Sequence, residues 1–371
     1  MTLRVLHVAT GNAGTIALRQ LIEDARFELV GVVVSNPDKV GLDAGSLAGL
    51  SVVTGVTAVS SLADALALKP DCVSYCALSE TRFFEALEDL KACLAAGANV
   101  VTTSPVTLMY PWGFLPDSMI EPFEEACREN GVSLFATGVD PGWANDILPL
   151  AIASTCQSIE QIRCSEIADY ASYSGAPVIF EVMGFGREPG TLPNREDMPM
   201  LFKPGMLTAA WGVALRQLAA AFGFELDEIR ESVEQEPTPV AFDVAAGHIP
   251  AGGVAAVRFQ IIGVTNGKEV LVIDHTTRLD PKLRPDWPMP AVGDGGYRVE
   301  IIGEPTYLVD VTQSTKYGDH NDASIASGAG RMVNAIPAVV AAEPGIRTLL
   351  DLPLNTAQGV FAATLSTNGD N

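Results

Sequence analysis

The sequence is short of positive charge, of paired cysteines and of long apolar runs, and each shortage closes a class of function. Lysine and arginine number 23 against 45 aspartate and glutamate, for a net charge of -22. A nucleic-acid or anionic-membrane partner needs a basic face that displaces counterions, so neither partner is expected. The six cysteines, Cys72, Cys76, Cys93, Cys127, Cys156 and Cys164, include no CxxC pair and no histidine cluster at metal-ligand spacing. They read as buried reduced thiols, and no metal site is expected. No stretch of about 18 apolar residues offers a membrane span. The apolar residues from Leu3 to Ala9 are too few for a secretory leader and run into a glycine turn, so the cytoplasm is the expected compartment. No serine sits in a nucleophile elbow, which disfavours a Ser-His-Asp hydrolase.

What is there is the composition of a globular protein. Of 371 residues 48% are hydrophobic, and the 34 glycines and 24 prolines are scattered without a low-complexity tract or internal repeat. That is enough chain for two domains of common size. Only residues 366–371 read as a loose tail.

Over the first ~150 residues short apolar runs alternate with helical patterns, the signature of a doubly wound parallel sheet. Strands are expected at 4–9, 27–34, 72–77, 99–103 and 132–136, with helices at 15–25, 83–96 and 120–130. Beyond Pro149 the texture changes to β-runs at 161–167, 254–264, 269–278 and 297–302 around one helical stretch at 206–222, and a last apolar helix is expected at 328–342. The reading is an α/β chain. A Rossmann dinucleotide-binding domain spans 1–148, and a substrate-binding and dimerisation domain of α+β type, on an open mixed or antiparallel sheet, spans 149–326. A helical segment over 327–371 returns to the first domain. A homodimer is expected.

The first strand leads into Ala9-Thr10-Gly11-Asn12-Ala13-Gly14. A glycine turn between strand and helix lets backbone N–H groups approach a pyrophosphate, with the helix N-terminus adding about half a positive charge. Gly11 and Gly14 take the second and third glycine positions of GxGxxG, whereas Ala9 stands at the first. The incomplete motif gains its weight from the βαβ unit it opens. The second strand ends without an acid at Ser35 or Asn36, and Ser35 and Lys39 can reach a 2′-phosphate, so NADP is favoured over NAD. Asp38 is expected to face solvent. Ala77 and Thr102 would lie along the ribose.

These segments and three later ones resemble the dihydrodipicolinate reductase-like superfamily, and within it the 2,4-diaminopentanoate dehydrogenases and native amine dehydrogenases. The later segments are Asn99-Val100-Val101-Thr102-Thr103 leading to Tyr110-Pro111-Trp112, Thr137-Gly138-Val139-Asp140-Pro141-Gly142-Trp143, and Arg331-Met332-Val333-Asn334-Ala335-Ile336-Pro337-Ala338-Val339. The likeness spans nearly the whole chain. It excludes the biosynthetic dihydrodipicolinate reductase itself, whose paired-histidine and lysine segment is absent. The resemblance implies an NADP-dependent oxidoreductase acting on a small apolar carbonyl or amine, with Pro141, Gly142 and Asn334 as neighbours of the nicotinamide.

In that group the loop before the Tyr-Pro-Trp segment carries two glutamates, one of them the acid/base of reductive amination; here Val106 and Thr107 stand in their place. Shedding water from a carbinolamine asks for a group that exchanges protons near neutral pH, and Thr107 does not titrate there. Three routes stay open. Asp140, an acid where the family segment reads asparagine, could take over the proton transfers. Alternatively the enzyme reduces a ketone, aldehyde or preformed imine, polarised by Thr107, Tyr110 or Tyr173. In the third, it binds NADP without turnover, as a sensor.

Trp143, Tyr170, Tyr173, Met183, Phe185 and Trp211 are candidates for an apolar substrate pocket, each set against the plainer reading of domain core. The run Gly184-Phe185-Gly186-Arg187 is expected as a loop at a site or interface. Glu166 and Glu181 read as partly exposed strand-end acids. His275 reads as a structural histidine within a strand and His320 as a loop histidine that could titrate near a site.

Overall fold

The structure is a computed structural model and describes residues 2–190, 198–316 and 318–358. The expected tail at 366–371 lies outside them. Up to Val139 the chain lays down β1 (Leu3–Val8), α1 (Asn12–Glu23), β2 (Phe27–Val33), α2 (Ala44–Leu47), β3 (Ala58–Val59), α3 (Leu62–Leu66), β4 (Cys72–Tyr75), α4 (Phe83–Ala95), β5 (Asn99–Thr102), α5 (Asp117–Asn130) and β6 (Ser133–Ala136). It continues with α6 (Ile147–Ala153), β7 (Ser158–Asp169), α7 (Met206–Ala221), β8 (Glu228–Pro237), β9 (Phe242–Val244), β10 (Gly247–Ile249), β11 (Val254–Thr265), β12 (Lys268–Arg278), β13 (Gly295–Glu304) and β14 (Tyr307–Val311). Two elements close it, α8 (His320–Val340) and β15 (Gly345–Arg347).

These elements form two units, one of residues up to Val139 with those from Ile325 onward, the other Asp140–Ser324. In the first unit a seven-stranded sheet runs β15-β6-β5-β4-β1-β2-β3, every neighbouring pair parallel. Its inner strands are apolar on both sides, with Val5, Leu6, Val73, Val100, Val101, Leu134 and Phe135 all buried, as a sheet covered on both faces requires. From α8, Met332, Val333, Ile336 and Val339 pack on that sheet beside Val5, Leu21 and Val101. The expected Rossmann sheet is therefore present. It gains β3 and β15, two strands too short to leave a periodic pattern.

The second unit is a six-stranded sheet in the order β14-β13-β7-β12-β11-β8. Only β7 and β12 pair in parallel, so the sheet is mixed. Alternate residues Ile162 and Cys164, Val257, Phe259 and Ile261, Leu271 and Ile273, and Val299 and Ile301 form one face, which packs with Leu207, Trp211, Leu215 and Leu218 of α7. The boundary falls at Asp140, not at 149, because Leu148, Leu150 and Ile152 of α6 pack against this second core. Likewise α8 begins at His320 instead of 328.

Candidate active site

In the first unit β1 delivers the chain into the glycine turn. Ala9 has φ 74°, a left-handed conformation that a glycine adopts freely and an alanine does not, so the first motif position keeps the backbone shape without the residue. Gly11 caps α1, which makes Asn12 and Ala13 its first turn and starts the helix earlier than the expected 15. A methyl group on Gly14 would lie 2.2 Å from the Ala9 carbonyl oxygen, whereas one on Gly11 would meet nothing within 4 Å. Gly14 is thus required by the turn itself, and Gly11 leaves the helix N-terminus open. That N-terminus has no side-chain cap and no acid in its first turn. It suits a phosphate, which needs free backbone donors and a positive dipole end.

Lys39 reaches this turn, its Nζ donating to the Thr10 carbonyl at 2.8 Å and lying 3.0 Å from the Thr10 hydroxyl. Ser35, Asn36 and Asp38 are exposed, and the Asn36 side chain accepts from the Asp38 amide at 2.9 Å, capping the short turn Pro37–Lys39. Ala77 is partly buried just beyond β4. Thr102 ends β5, and its buried hydroxyl donates to the Ser104 carbonyl at 2.5 Å and accepts from the Ser104 amide at 3.0 Å, closing a local turn. Asn334 is a further correction. Its Oδ1 accepts from Gln20 at 3.2 Å and Arg26 at 3.1 Å, at the C-terminal end of α1 and the start of β2. A helix rises about 1.5 Å per residue, so this is the opposite edge of the sheet from the glycine turn, where no nicotinamide neighbour can sit. Thr107 lies buried in the short turn Val106–Met109 after β5, its hydroxyl without a partner, and Tyr110 packs edge-on against Trp112 at 5.3 Å.

The second unit holds a different kind of chemistry. Asp140 accepts hydrogen bonds at one carboxylate oxygen from Asn145 Nδ2 at 2.7 Å and Trp211 Nε1 at 2.5 Å. Asn145 in turn accepts from the Gly142 amide at 2.9 Å, fixing the Pro141-Gly142 turn. Glu166 of β7 and His275 of β12 are register partners, and both side chains stand on the core face of the sheet. His275 Nε2 lies 3.0 Å from Glu166 Oε2, its Nδ1 is 3.0 Å from the Thr277 hydroxyl, and its ring stacks on Phe259 at 4.7 Å. His320 Nε2 stands 3.8 Å from Glu166 Oε1 and 3.3 Å from the Ser324 hydroxyl. The Tyr170 hydroxyl donates to Glu166 at 3.4 Å, and Tyr170 and Tyr173 stack at 5.5 Å. Trp143 packs edge-on against Tyr297 at 6.4 Å.

Burial, reinforced by the negative charge of Glu166, pushes the Asp140 carboxyl up to about 7. Burial also opposes the charge on Glu166, but the His275 cation and its hydrogen bond, with the nearby His320 adding to them, outweigh it and hold that carboxyl low. His275 is the mirror case. Burial lowers it, yet the Glu166 charge and hydrogen bond raise it on balance. Two carboxylates driven apart in this way can play two roles, one exchanging a proton near neutrality and one staying ionised.

Several expectations change here. Glu166 is buried because the alternation of β7 turns it toward the core, and His320 is a buried helix-start residue instead of a loop histidine. Glu181 is exposed in a turn of π-helix, Pro177–Val182, and not at a strand end. Met183 and Phe185 are packed into the second core, and Phe185 is held in the sequence Gly184-Phe185-Gly186 by two left-handed glycines. The grouping of Glu166, His275, His320 and Trp211 escaped sequence reasoning, since the pairing of β7 with β12 and the packing of α7 and the start of α8 bring these residues together. Among the described residues no group of three or more His, Cys, Asp or Glu side chains is arranged to hold a metal ion, and no helix is long and apolar enough to cross a membrane.

Residues 143–364 match the family described as the 2,4-diaminopentanoate dehydrogenase C-terminal domain. An amine dehydrogenase of Streptomyces virginiae is 38% identical over 353 residues, covering 94% of this chain and 96% of the relative. A 2,4-diaminopentanoate dehydrogenase of Acetoanaerobium sticklandii is 24% identical over 370 residues, covering 95% and 94%. In fold, the chain is similar to an amine dehydrogenase from Mycobacterium smegmatis, with a TM-score of 0.77 at 21% identity over 96% of this chain and 98% of that one.

Proposed function

The chain belongs to the family of 2,4-diaminopentanoate dehydrogenases and amine dehydrogenases and is an oxidoreductase of the amine dehydrogenase type, and from that premise we propose that it reductively and reversibly aminates a small apolar ketone or aldehyde with ammonia, using NADPH. The observation that carries this reading is Asp140, a carboxyl raised to about 7 beside a second carboxylate held ionised. Val106 and Thr107 offer no proton-exchanging group, and Asp140 supplies one.

Backbone amides of Gly11, Asn12, Ala13 and Gly14 would hold the pyrophosphate, and Lys39 with Ser35 would meet a 2′-phosphate. When bound, NADPH supplies the hydride that reduces the substrate carbon. Asp140 in its neutral form gives a proton to the hydroxyl that leaves a carbinolamine as water, and its carboxylate form takes a proton from water in the reverse direction. Reductive amination therefore falls as pH rises through about 7, while amine oxidation rises over the same interval.

Cofactor absorbance tests the reading directly when protein is incubated with NADPH, ammonia and a panel of ketones and aldehydes. Loss of signal only with ammonia supports amine formation, loss without ammonia points to carbonyl reduction, and no loss under any condition leaves a nucleotide-binding sensor. Asp140→Asn is expected to cut turnover by about 100-fold or more while cofactor affinity stays unchanged. Unchanged turnover would remove Asp140 from the mechanism. Lys39→Glu should weaken NADPH binding by about tenfold or more with NADH little changed, and equal losses for both would sink the 2′-phosphate assignment.

A further inference from the structure

Two buried hydroxyls of the first unit lack a hydrogen-bond partner. Thr107 Oγ1 sits in the turn after β5, and Thr137 Oγ1 lies one residue past β6; the two residues are 7% and 2% exposed. Native proteins leave few buried polar groups unpaired, and two on neighbouring strand ends ask for an explanation. β5 and β6 pair side by side with Thr102 opposite Ala136, and the turn carrying Thr107 packs against β6. The Thr137 amide donates to the Thr102 carbonyl at 2.9 Å, which fixes the backbone from which its hydroxyl projects. Both groups lie beyond the carboxyl ends of parallel strands, where open α/β sheets bind their ligands.

We infer that Thr107 and Thr137 together form a hydrogen-bonding subsite for the oxygen of a neutral carbonyl compound. Two uncharged O–H donors match the two lone pairs of one carbonyl oxygen, and neither offers a charge to a carboxylate or an ammonium group. A buried donor left unpaired rejects an analogue that lacks the acceptor, so the pair also selects for a carbonyl over a hydrocarbon of the same shape. The identity of the ligand rests on the reductive reading above; the unpaired hydroxyls do not.

The test uses isobutyramide, an unreactive carbonyl compound, followed by saturation-transfer NMR on the full chain with NADP⁺ present. The parent should bind it, Thr107→Val and Thr137→Val should each bind about tenfold more weakly, and Thr107→Ser should recover most of the loss. Melting temperatures of the valine variants should equal or exceed that of the parent, because no internal hydrogen bond is removed. Equal binding by all variants, no binding by the parent, or melting temperatures several degrees lower in the valine variants would each overturn the subsite. A parent that binds the amide in this threonine-dependent way, yet oxidises no NADPH with any ketone or aldehyde, keeps the subsite and removes the reductive reading.

Discussion

At the carboxyl edge of the first sheet, the polar groups singled out are backbone amides, neutral hydroxyls and the ammonium of Lys39, whereas the second unit buries carboxylates and imidazoles on the core face of its sheet. In the second, Glu166 and His275 hold each other ionised, while burial, reinforced by the Glu166 charge and partly offset by the His275 cation, raises the Asp140 carboxyl. On the proposed reading, the first unit holds an anion and a neutral oxygen, and the second moves a proton. The physical bases also differ: a strand-to-helix turn positions the amides through local geometry, while the titrating groups depend on the register of distant strands.

The largest expected effect breaks the second half of that contrast. Glu166→Ala leaves His275 and His320 facing a buried space without their carboxylate, and loss of one partner of a buried pair costs about 3–5 kcal/mol. Urea denaturation should show it. The sign with pH follows from both partners. A carboxyl held below its ordinary 4.5 stabilises above that value and loses the effect as pH falls, whereas an imidazole held above its ordinary 6.5 stabilises below that value and loses the effect as pH rises. The gap between parent and variant is thus widest between about pH 4.5 and 6.5. A gap that is small, or flat from pH 4 to 9, would mean that the pair is not ionised in the folded protein.

Much of the first unit could be read from the sequence because its signals are local. The glycine turn, the βαβ unit and the missing acid at Ser35 and Asn36 each lie within a few residues of what they explain. Asp140 stood out only through likeness, as an acid where the family segment reads asparagine, and its burial beside Trp211 and Asn145 was not legible. Nor was that of Glu166, since it depends on β7 pairing with β12 on one side and β13 on the other, and alternation alone does not say which face is covered. His320 follows Gly318 and Asp319, which punctuate the chain like a loop, and only the structure shows a helix starting there. Asn334 shows the limit of carrying a role across by likeness. It lies on the face of α8 that meets α1, and its hydrogen bonds to Gln20 and Arg26 give it a structural task.

A smaller effect tests whether the glycine turn is as local as it reads. Gly14→Ala forces a methyl group against the Ala9 carbonyl oxygen, a backbone atom that cannot swing away, so the first turn of α1 must shift. Overpacking of this kind costs about 1–3 kcal/mol. NADPH binding should fall with it, while the titration of His275 in the second unit, followed by NMR, should stay where the parent has it. A moved His275 titration would show that the two sets of groups are not independent.

The smallest effect on stability is the most informative about the cofactor. Gly11→Ala adds a methyl group where nothing lies within 4 Å, in a backbone conformation that alanine adopts without strain. Alanine caps a helix less well than glycine but restricts the unfolded chain more, and the two effects offset to within about 0.5 kcal/mol. The fold therefore has no need of a glycine here. A dinucleotide does, because its pyrophosphate must approach the backbone amides closely. Gly11→Ala is expected to melt with the parent and to bind NADPH about tenfold more weakly. If binding is unchanged, the open N-terminus of α1 does not carry the pyrophosphate. If melting falls as far as in Gly14→Ala, the glycine belongs to the turn and not to the ligand.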